Sequence, residues 1–222
     1  MRGTMNAFEI DVTGGLFIAA ASMLWIGWIL LPAKIGAYFV PPDFAAVGTN
    51  RRLWIWLYRL HLFGYVVALM AFIALATLLA GSAGRIIVWP ATGVVGAGLI
   101  MAALAGAFYY HFGAWGSLDM EGKDDATIQG FVASLRVSTE YVTCVVRFGR
   151  VFFGVGQVVL MVGLLLSEPA WPIWLVGAGG LLGLVGAALT MGLPDDLNLY
   201  QPVFHLNALW LAAMGIATLT FN

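Results

Sequence analysis

Apolar stretches near or above the roughly 20 residues that carry a helix across a bilayer recur along this chain, separated by polar, Pro or Gly clusters. Hydrophobic residues make up 62% of the 222 residues and charged residues only 9%. A soluble domain of this length does not have that composition. The sequence therefore predicts an all-α integral membrane protein, a six-transmembrane helix bundle in which residues 1–222 form a single polytopic domain.

Short breaks divide the apolar sequence into the six predicted spans. Pro41 and Pro42 end the first span, and Asn50 resembles a cap that opens the second. Pro202 can occupy the first turn of the sixth span because its missing N–H is not needed there. Residues 1–13 are expected to form a short polar arm ahead of a first helix that is retained rather than cleaved as a signal. The predicted spans cover residues 14–39, 53–80, 86–115, 151–166, 173–193 and 203–221.

A stripe of polar residues precedes the fourth span. Its members recur at intervals of four, three, four and three residues, which puts them on one face of an α-helix. They are Arg136, Glu140, Thr143, Arg147 and Arg150. We predict one continuous helix over 127–166, about 60 Å long at 1.5 Å per residue, that projects beyond the bilayer or bends at Gly149. Its amphipathic part over 127–150 is the predicted cytoplasmic extension. The stripe either lies at the lipid headgroups, as basic amphipathic helices commonly do, or forms a polar wall over a site.

Small residues in the third span recur at spacings that let two helices approach closely. They are Gly93 with Ala97, and Gly98 with Ala102 and then Ala105. We interpret them as positions of close helix packing.

The basic residues are divided unequally between the two sides of the predicted bundle. Only Arg2 and Arg85 belong to one side. The loops after the first, third and fifth spans, with their flanks, hold Lys34, Arg51, Arg52, Arg59, Lys123, Arg136, Arg147 and Arg150. Because cytoplasmic loops carry the excess of Lys and Arg, we expect these loops in the cytoplasm and both termini outside a bacterial-type cytoplasmic membrane.

Arg59 and His61 lie inside the second predicted span, and His111 and His205 lie at a similar depth in the third and sixth. Ionisable residues inside a bilayer are costly unless they are paired, so they are read first as parts of a functional site. We predict that at least two of the three imidazoles face a shared inner-leaflet cavity. The residues expected to line this cavity, with the last at its rim, are Tyr58, Tyr110, Asn207 and Glu140.

Imidazoles from separate helices could ligate haem b axially or, with a third ligand, hold a divalent metal such as Zn²⁺ or Cu²⁺. Arg59 would then pair with the haem propionates. The chain has neither a CxxCH nor an HExxH motif, and the lone Cys144 excludes a CxxC pair. Structural roles are the alternative: a hydrogen bond from His61 to a neighbour, an interfacial aromatic belt around His111, and a helix bridge made by His205.

Three functions remain open on the sequence. The first is a membrane redox or metal-dependent protein acting on a quinone or another lipid-soluble substrate, with His61, His111 and His205 as ligands and Arg59 as the anion partner. The second is a small-solute or proton-coupled transporter or channel. The third is an accessory subunit of a larger membrane complex.

The expected partners are the lipid bilayer and a protein complex or second copy of the chain; no nucleic acid is expected. Prenyltransferase aspartate motifs, Walker and Rossmann glycine loops and a GxSxG elbow do not occur.

Overall fold

A computed structural model describes residues 6–29, 43–168, 170–192 and 197–221, with the backbone alone for residues 197–199. Throughout these ranges the regular elements are α-helices. In chain order they are α1 Ala7–Ile29, α2 Phe44–Thr49, α3 Arg51–Leu78, α4 Arg85–Asp119, α5 Asp125–Ser134, α6 Arg136–Leu165, α7 Ile173–Gly192 and α8 Leu197–Leu219.

Six of these helices, α1, α3, α4, α6, α7 and α8, are long and apolar enough to cross a membrane. The prediction of an all-helical fold with six such helices is confirmed. The fold is that of a multi-pass membrane protein whose apolar outer surface suits contact with lipid.

The six long helices form a closed ring. Each packs against the one before it and the one after it, and α8 closes the ring on α1. The side chain of Phe72 lies at the centre, fully buried, with its ring centroid 5.2 Å from that of Phe17 and 6.4 Å from those of Phe153 and Trp210. Rings from four helices therefore fill the middle of the bundle.

Glycines set the closest helix contacts. A Cβ at Gly98 on α4 would lie 2.6 Å from the carbonyl oxygen of Gly149 on α6, and a Cβ at Gly154 would lie 2.5 Å from that of Gly183 on α7. A Cβ at Gly93 would meet nothing within 4 Å. Of the glycines in the predicted small-residue pattern, Gly98 is therefore at a helix contact and Gly93 is on the open face of α4.

Two helix starts differ from the predicted boundaries. Helix α1 begins at Ala7, inside the predicted polar arm, where the Asn6 side chain accepts a hydrogen bond from the Phe8 N–H at 3.0 Å. Its predicted end at residue 39 lies outside the described residues. Helix α8 begins at Leu197, so Pro202 lies in its second turn and not in its first.

The start of the second span differs as well. An additional short helix, α2, precedes it, and Asp43 caps this helix by accepting hydrogen bonds from the N–H groups of Ala45 at 3.0 Å and Ala46 at 3.2 Å. Asn50 does not cap α3 with its side chain. Its amide donates instead to the Ala46 carbonyl at 3.1 Å, which ties it back to α2.

The predicted continuous helix over 127–166 is divided at Leu135. The N–H of this residue bonds to the carbonyl of Val132, three residues back, which tightens the end of α5. The five-residue polar stripe lies wholly on α6, and α6 is itself one of the six long apolar helices. Arg147 and Arg150 thus belong to the same helix as the predicted fourth span, as expected. That the amphipathic part extends into the cytoplasm stays a prediction.

A candidate intramembrane binding site

A cavity of about 70 Å³ lies inside the ring, and α1, α3, α4, α6 and α8 all contribute to its wall. Most of the lining is apolar, with Leu24, Leu99 and Leu211 as examples. The volume is about half of the roughly 150 Å³ of an apolar cavity that holds benzene. A small polar head can therefore occupy it, and a larger ring requires a lining side chain to move.

Arg150 is the charged residue in this wall. Its guanidinium carbon lies 4.1 Å from the ring centroid of Tyr200 on α8, within the range of a cation–π contact. Arg150 is 15 residues from Leu165, or about 22 Å along α6, and so lies within a hydrocarbon core of about 30 Å measured from that end. An arginine at this depth that faces the bundle interior is typical of a site or a pathway.

Two amide side chains, those of Gln157 on α6 and Asn207 on α8, lie beside the cavity. Gln157 follows Arg150 by seven residues, so both lie on one face of α6. Its side chain is fully buried and donates to the side-chain oxygen of Asn207 on α8 at 2.9 Å. Asn207 lines the cavity, and the side-chain oxygen of Gln157 has no hydrogen-bond partner among the described residues. The pair links α6 to α8 beside the cavity.

Arg147 holds the end of α7. One of its Nη atoms donates to the carbonyl of Thr190 at 3.0 Å. Thr190 lies in the last turn of α7, where carbonyls have no partner within the helix and a cation is favoured. Arg147 and Arg150 are therefore held by α7 and α8 respectively, which explains why two arginines are tolerated in this apolar helix.

Two of the three histidines gather around one tryptophan. The Trp28 ring centroid lies 6.2 Å from that of His61 and 5.8 Å from that of His205. His61 is buried and also contacts the rings of Phe204, at 5.6 Å, and Tyr65, at 5.5 Å. Trp28, Tyr65 and Phe204 line the cavity, so the imidazoles stand behind its aromatic wall.

The third histidine lies elsewhere. His111 is exposed and stacks on Trp115, with ring centroids 5.1 Å apart and planes at 12°. Helical geometry accounts for this, because the buried Tyr109 and Phe112 define the inner face of α4 at this level and His111 projects from the other side. The expectation that His111 converges with His61 and His205 is thus not met.

The geometry gives no support to a haem or metal site. Across the described ranges, no three His, Cys, Asp or Glu side chains are grouped so that they could hold a metal ion. Trp28 contacts both His61 and His205, in the region where a macrocycle between two axial imidazoles would need space.

Arg59 and three of the predicted lining residues also lie away from the cavity. Arg59 is exposed on α3, and its Nε donates to the hydroxyl of Tyr110 at 3.3 Å. Tyr58 is buried against Trp54, with ring centroids 4.6 Å apart, between α3 and α4. Of the four predicted lining residues, Asn207 borders the cavity.

Glu140, predicted at the rim, is exposed and pairs with Arg136 one turn earlier, at 3.4 Å. The lining contributed by Tyr65, Tyr200 and Phe204 was not foreseen. Aromatic residues are frequent in every span, and only knowledge of the neighbouring helices separates those that face inward. Besides the predicted Asn207, the seven-residue spacing of Arg150 and Gln157 was a signal of this site in the sequence.

The polar groups at the cavity can all donate hydrogen bonds. Arg150 has donors and no acceptor atom, whereas Asn207, Tyr65 and Tyr200 carry donors together with acceptors. Such a wall suits a ligand with acceptor oxygens. In comparisons with known protein families, curated proteins and solved structures, none matches this chain.

Proposed function

We propose that this protein binds a lipid-soluble molecule with acceptor oxygens, such as a quinone, in the cavity between α1, α3, α4, α6 and α8. The observation that carries the proposal is the position of Arg150, a donor-only group at bilayer depth on the wall of an apolar cavity. The ligand's oxygens accept hydrogen bonds from Arg150 and Asn207, and its ring or chain lies against Trp28 and Phe204. Tyr200 or Phe204 moves to admit a ring.

In this proposal His61 and His205 support the site without contacting the ligand. His61 packs against Tyr65 and Phe204, two lining rings, and both histidines pack against Trp28. They hold the aromatic wall in place.

We place the protein in a bacterial-type cytoplasmic membrane with the α2 and α5 end inside. Arg51 at the start of α3 donates hydrogen bonds to Ser117, in the last turn of α4, and to Glu121, just after it. The start of α3 and the end of α4, which both carry basic residues nearby, therefore meet at one end of the bundle. The exposed first part of the stripe on α6, Arg136 and Glu140, then lies towards the cytoplasmic headgroups. So does the amphipathic α5, whose residues are exposed or half-buried.

Direct binding tests the proposal. The full chain is purified in detergent and titrated with ubiquinone-1 in a calorimeter. Wild-type protein should bind, and Arg150→Gln should weaken binding about 10- to 100-fold, since a hydrogen bond to a charged group contributes about 1.5–3 kcal/mol. Arg136→Gln removes an arginine from the same helix outside the cavity and should bind as wild type does.

Ala102→Phe fills the cavity from α4 and should abolish binding while Arg150 remains. Wild-type affinity in both Arg150→Gln and Ala102→Phe would overturn the proposal. An absorbance spectrum with elemental analysis of the same preparation tests the alternative site: a Soret band, or a bound metal lost on His61→Ala, would assign the histidines to a cofactor instead.

A further inference from the structure

A second polar group lies on the lipid-facing side of the ring, where α3 and α4 meet. Arg59 is held there by aromatic side chains: its guanidinium carbon lies 5.5 Å from the ring centroid of Trp56 and 5.9 Å from that of Tyr110. Its Nε donates to the Tyr110 hydroxyl. The Tyr110 ring in turn contacts Trp115 at 5.7 Å, on which His111 stacks. We call these five residues the Arg59 cluster.

The depth of the cluster corresponds to the headgroup boundary. Arg59 is 19 residues from Leu78, or about 28 Å along α3, and Tyr110 is 25 residues from Arg85, or about 38 Å along α4. The hydrocarbon core is about 30 Å thick. With the α3–α4 turn at one surface of the bilayer, Arg59 and Tyr110 therefore reach the other surface, where Trp and Tyr commonly lie.

The guanidinium of Arg59 retains donors that the protein does not use. The described residues form two ion pairs, Arg51 with Glu121 and Arg136 with Glu140, and neither involves Arg59. The bond to Tyr110 takes Nε and leaves both Nη groups, whose planar fork matches a phosphate. At this boundary the phosphates within reach of an exposed arginine are those of lipid headgroups.

An apolar track runs from Arg59 towards the middle of the bilayer. Phe63, Val66 and Met70 follow Arg59 at intervals of four, three and four residues, and therefore share its face of α3. All three are exposed, by 62%, 51% and 49%. A charged fork at the boundary with an apolar stripe below it matches a phosphate group and its acyl chain.

We infer that the Arg59 cluster is a binding site for an anionic phospholipid, with the phosphate on Arg59 and one acyl chain along Phe63, Val66 and Met70. An anionic lipid is preferred over a zwitterionic one because the basic residues concentrate at this end of the bundle and the anionic lipids of a cytoplasmic leaflet attract such segments. The site is separate from the central cavity and is independent of the quinone proposal.

Native mass spectrometry of the detergent-purified full chain tests the inference. Wild-type protein should retain dioleoylphosphatidylglycerol in preference to dioleoylphosphatidylcholine. Arg59→Gln should lower retention of the anionic lipid about fivefold. Arg85→Gln removes an exposed arginine at the other end of the bundle and should retain the lipid as wild type does. Inorganic phosphate should not displace the lipid, because it lacks the acyl chain.

Tyr110→Phe keeps the ring and removes the hydroxyl that holds Arg59, so it should lower retention less than Arg59→Gln does. This variant also serves if Arg59→Gln fails to fold. Equal retention of the two lipids by wild-type protein would overturn the inference. So would undiminished retention of phosphatidylglycerol in Arg59→Gln or, should that variant not fold, in Tyr110→Phe.

Discussion

The guanidinium carbon of Arg150 lies 4.1 Å from the ring centroid of Tyr200, so a charged group of α6 and an aromatic ring of α8 meet on the wall of the central cavity. Helix α7 packs against both α6 and α8, whereas the described backbones of α6 and α8 do not pack directly against each other. Side chains alone therefore join α6 to α8, through this contact and through the Gln157–Asn207 hydrogen bond.

Replacing the ring of Tyr200 should destabilise the protein. Tyr200→Leu removes the aromatic contact of Arg150, and we expect the free energy of unfolding to fall by about 1–2 kcal/mol, the size of a cation–π contact shielded from solvent. Tyr200→Phe keeps the ring and should lose little. Chemical denaturation in detergent micelles measures both. Equal effects of the two substitutions would show that the hydroxyl, not the ring, holds Arg150.

The contact between α4 and α6 at Gly98 should not tolerate a methyl group. Gly98→Ala puts a Cβ 2.6 Å from backbone atoms of Gly149 and Phe153, which have no freedom to rotate away. We expect a loss of about 1–3 kcal/mol, as for overpacking of a core. The matched control on the same helix is Gly93→Ala, where the space is open. It should be neutral or stabilising by up to about 1 kcal/mol. Thermal unfolding of both variants checks the contrast.

The buried amides should act as a pair. Asn207→Leu leaves the Gln157 amide nitrogen without its acceptor, and Gln157→Leu removes the donor to Asn207. Interhelical hydrogen bonds in membrane proteins contribute on average about 0.6 kcal/mol and up to about 1.7. A double-mutant cycle should therefore give a coupling energy in this range. The pair Gln157→Leu and Thr218→Val has no shared contact and should be additive. Additivity in the amide cycle as well would mean that the bond does not stabilise the fold.

The start of α5 should weaken in acid. Hydrogen bonds from the side chain and the backbone N–H of Thr127 hold the pKa of the Asp124 carboxyl below its ordinary value of 3.8. The cap is therefore intact above that value and is lost as the pH falls through the lowered pKa. Amide hydrogen exchange in α5, corrected for its intrinsic pH dependence, should rise over this interval. Asp124→Ala should show fast exchange at neutral pH, whereas Asp125→Asn, which leaves the cap in place, should not.

The orientation of the bundle can be tested independently of any ligand. Because eight of the ten basic residues fall on one side, reporter domains fused after Asn222 and before Met1 should both be outside the cytoplasm. A fusion inserted between Met120 and Lys123 should be inside. A cytoplasmic reporter at Asn222 would contradict the assignment.

The six apolar helices could be predicted because bilayer thickness sets the length of a span, and apolar stretches of that length are visible in the sequence. The rotation of each helix about its own axis could not be predicted. His61 and His111 have similar predicted depths, yet one is buried beside Trp28 and the other stacks on Trp115 at the surface. The rotation depends on which helices are neighbours, and that information lies in contacts between residues far apart in the chain.

Helix boundaries were hard to predict for a different reason. The acidic residues Glu9 and Asp11 resemble a polar arm, but a membrane helix can continue past its apolar part, and α1 begins already at Ala7. The break between α5 and α6 at Leu135 could not be predicted, because neither Pro nor Gly occurs at or next to it.

The closed ring has a consequence for the order in which the protein is assembled during synthesis. Helices α3, α4, α6 and α7 each meet the preceding helix of the ring as soon as they enter the membrane, so most packing can form while the chain is still being made. Helix α8 alone returns to the first helix, and it carries Tyr200, Phe204 and Asn207. Until it arrives, Arg150 faces a gap in the wall. The site is therefore completed only when α8 joins the ring, and a nascent chain lacking α8 lacks one wall of the cavity in which a ligand could be retained.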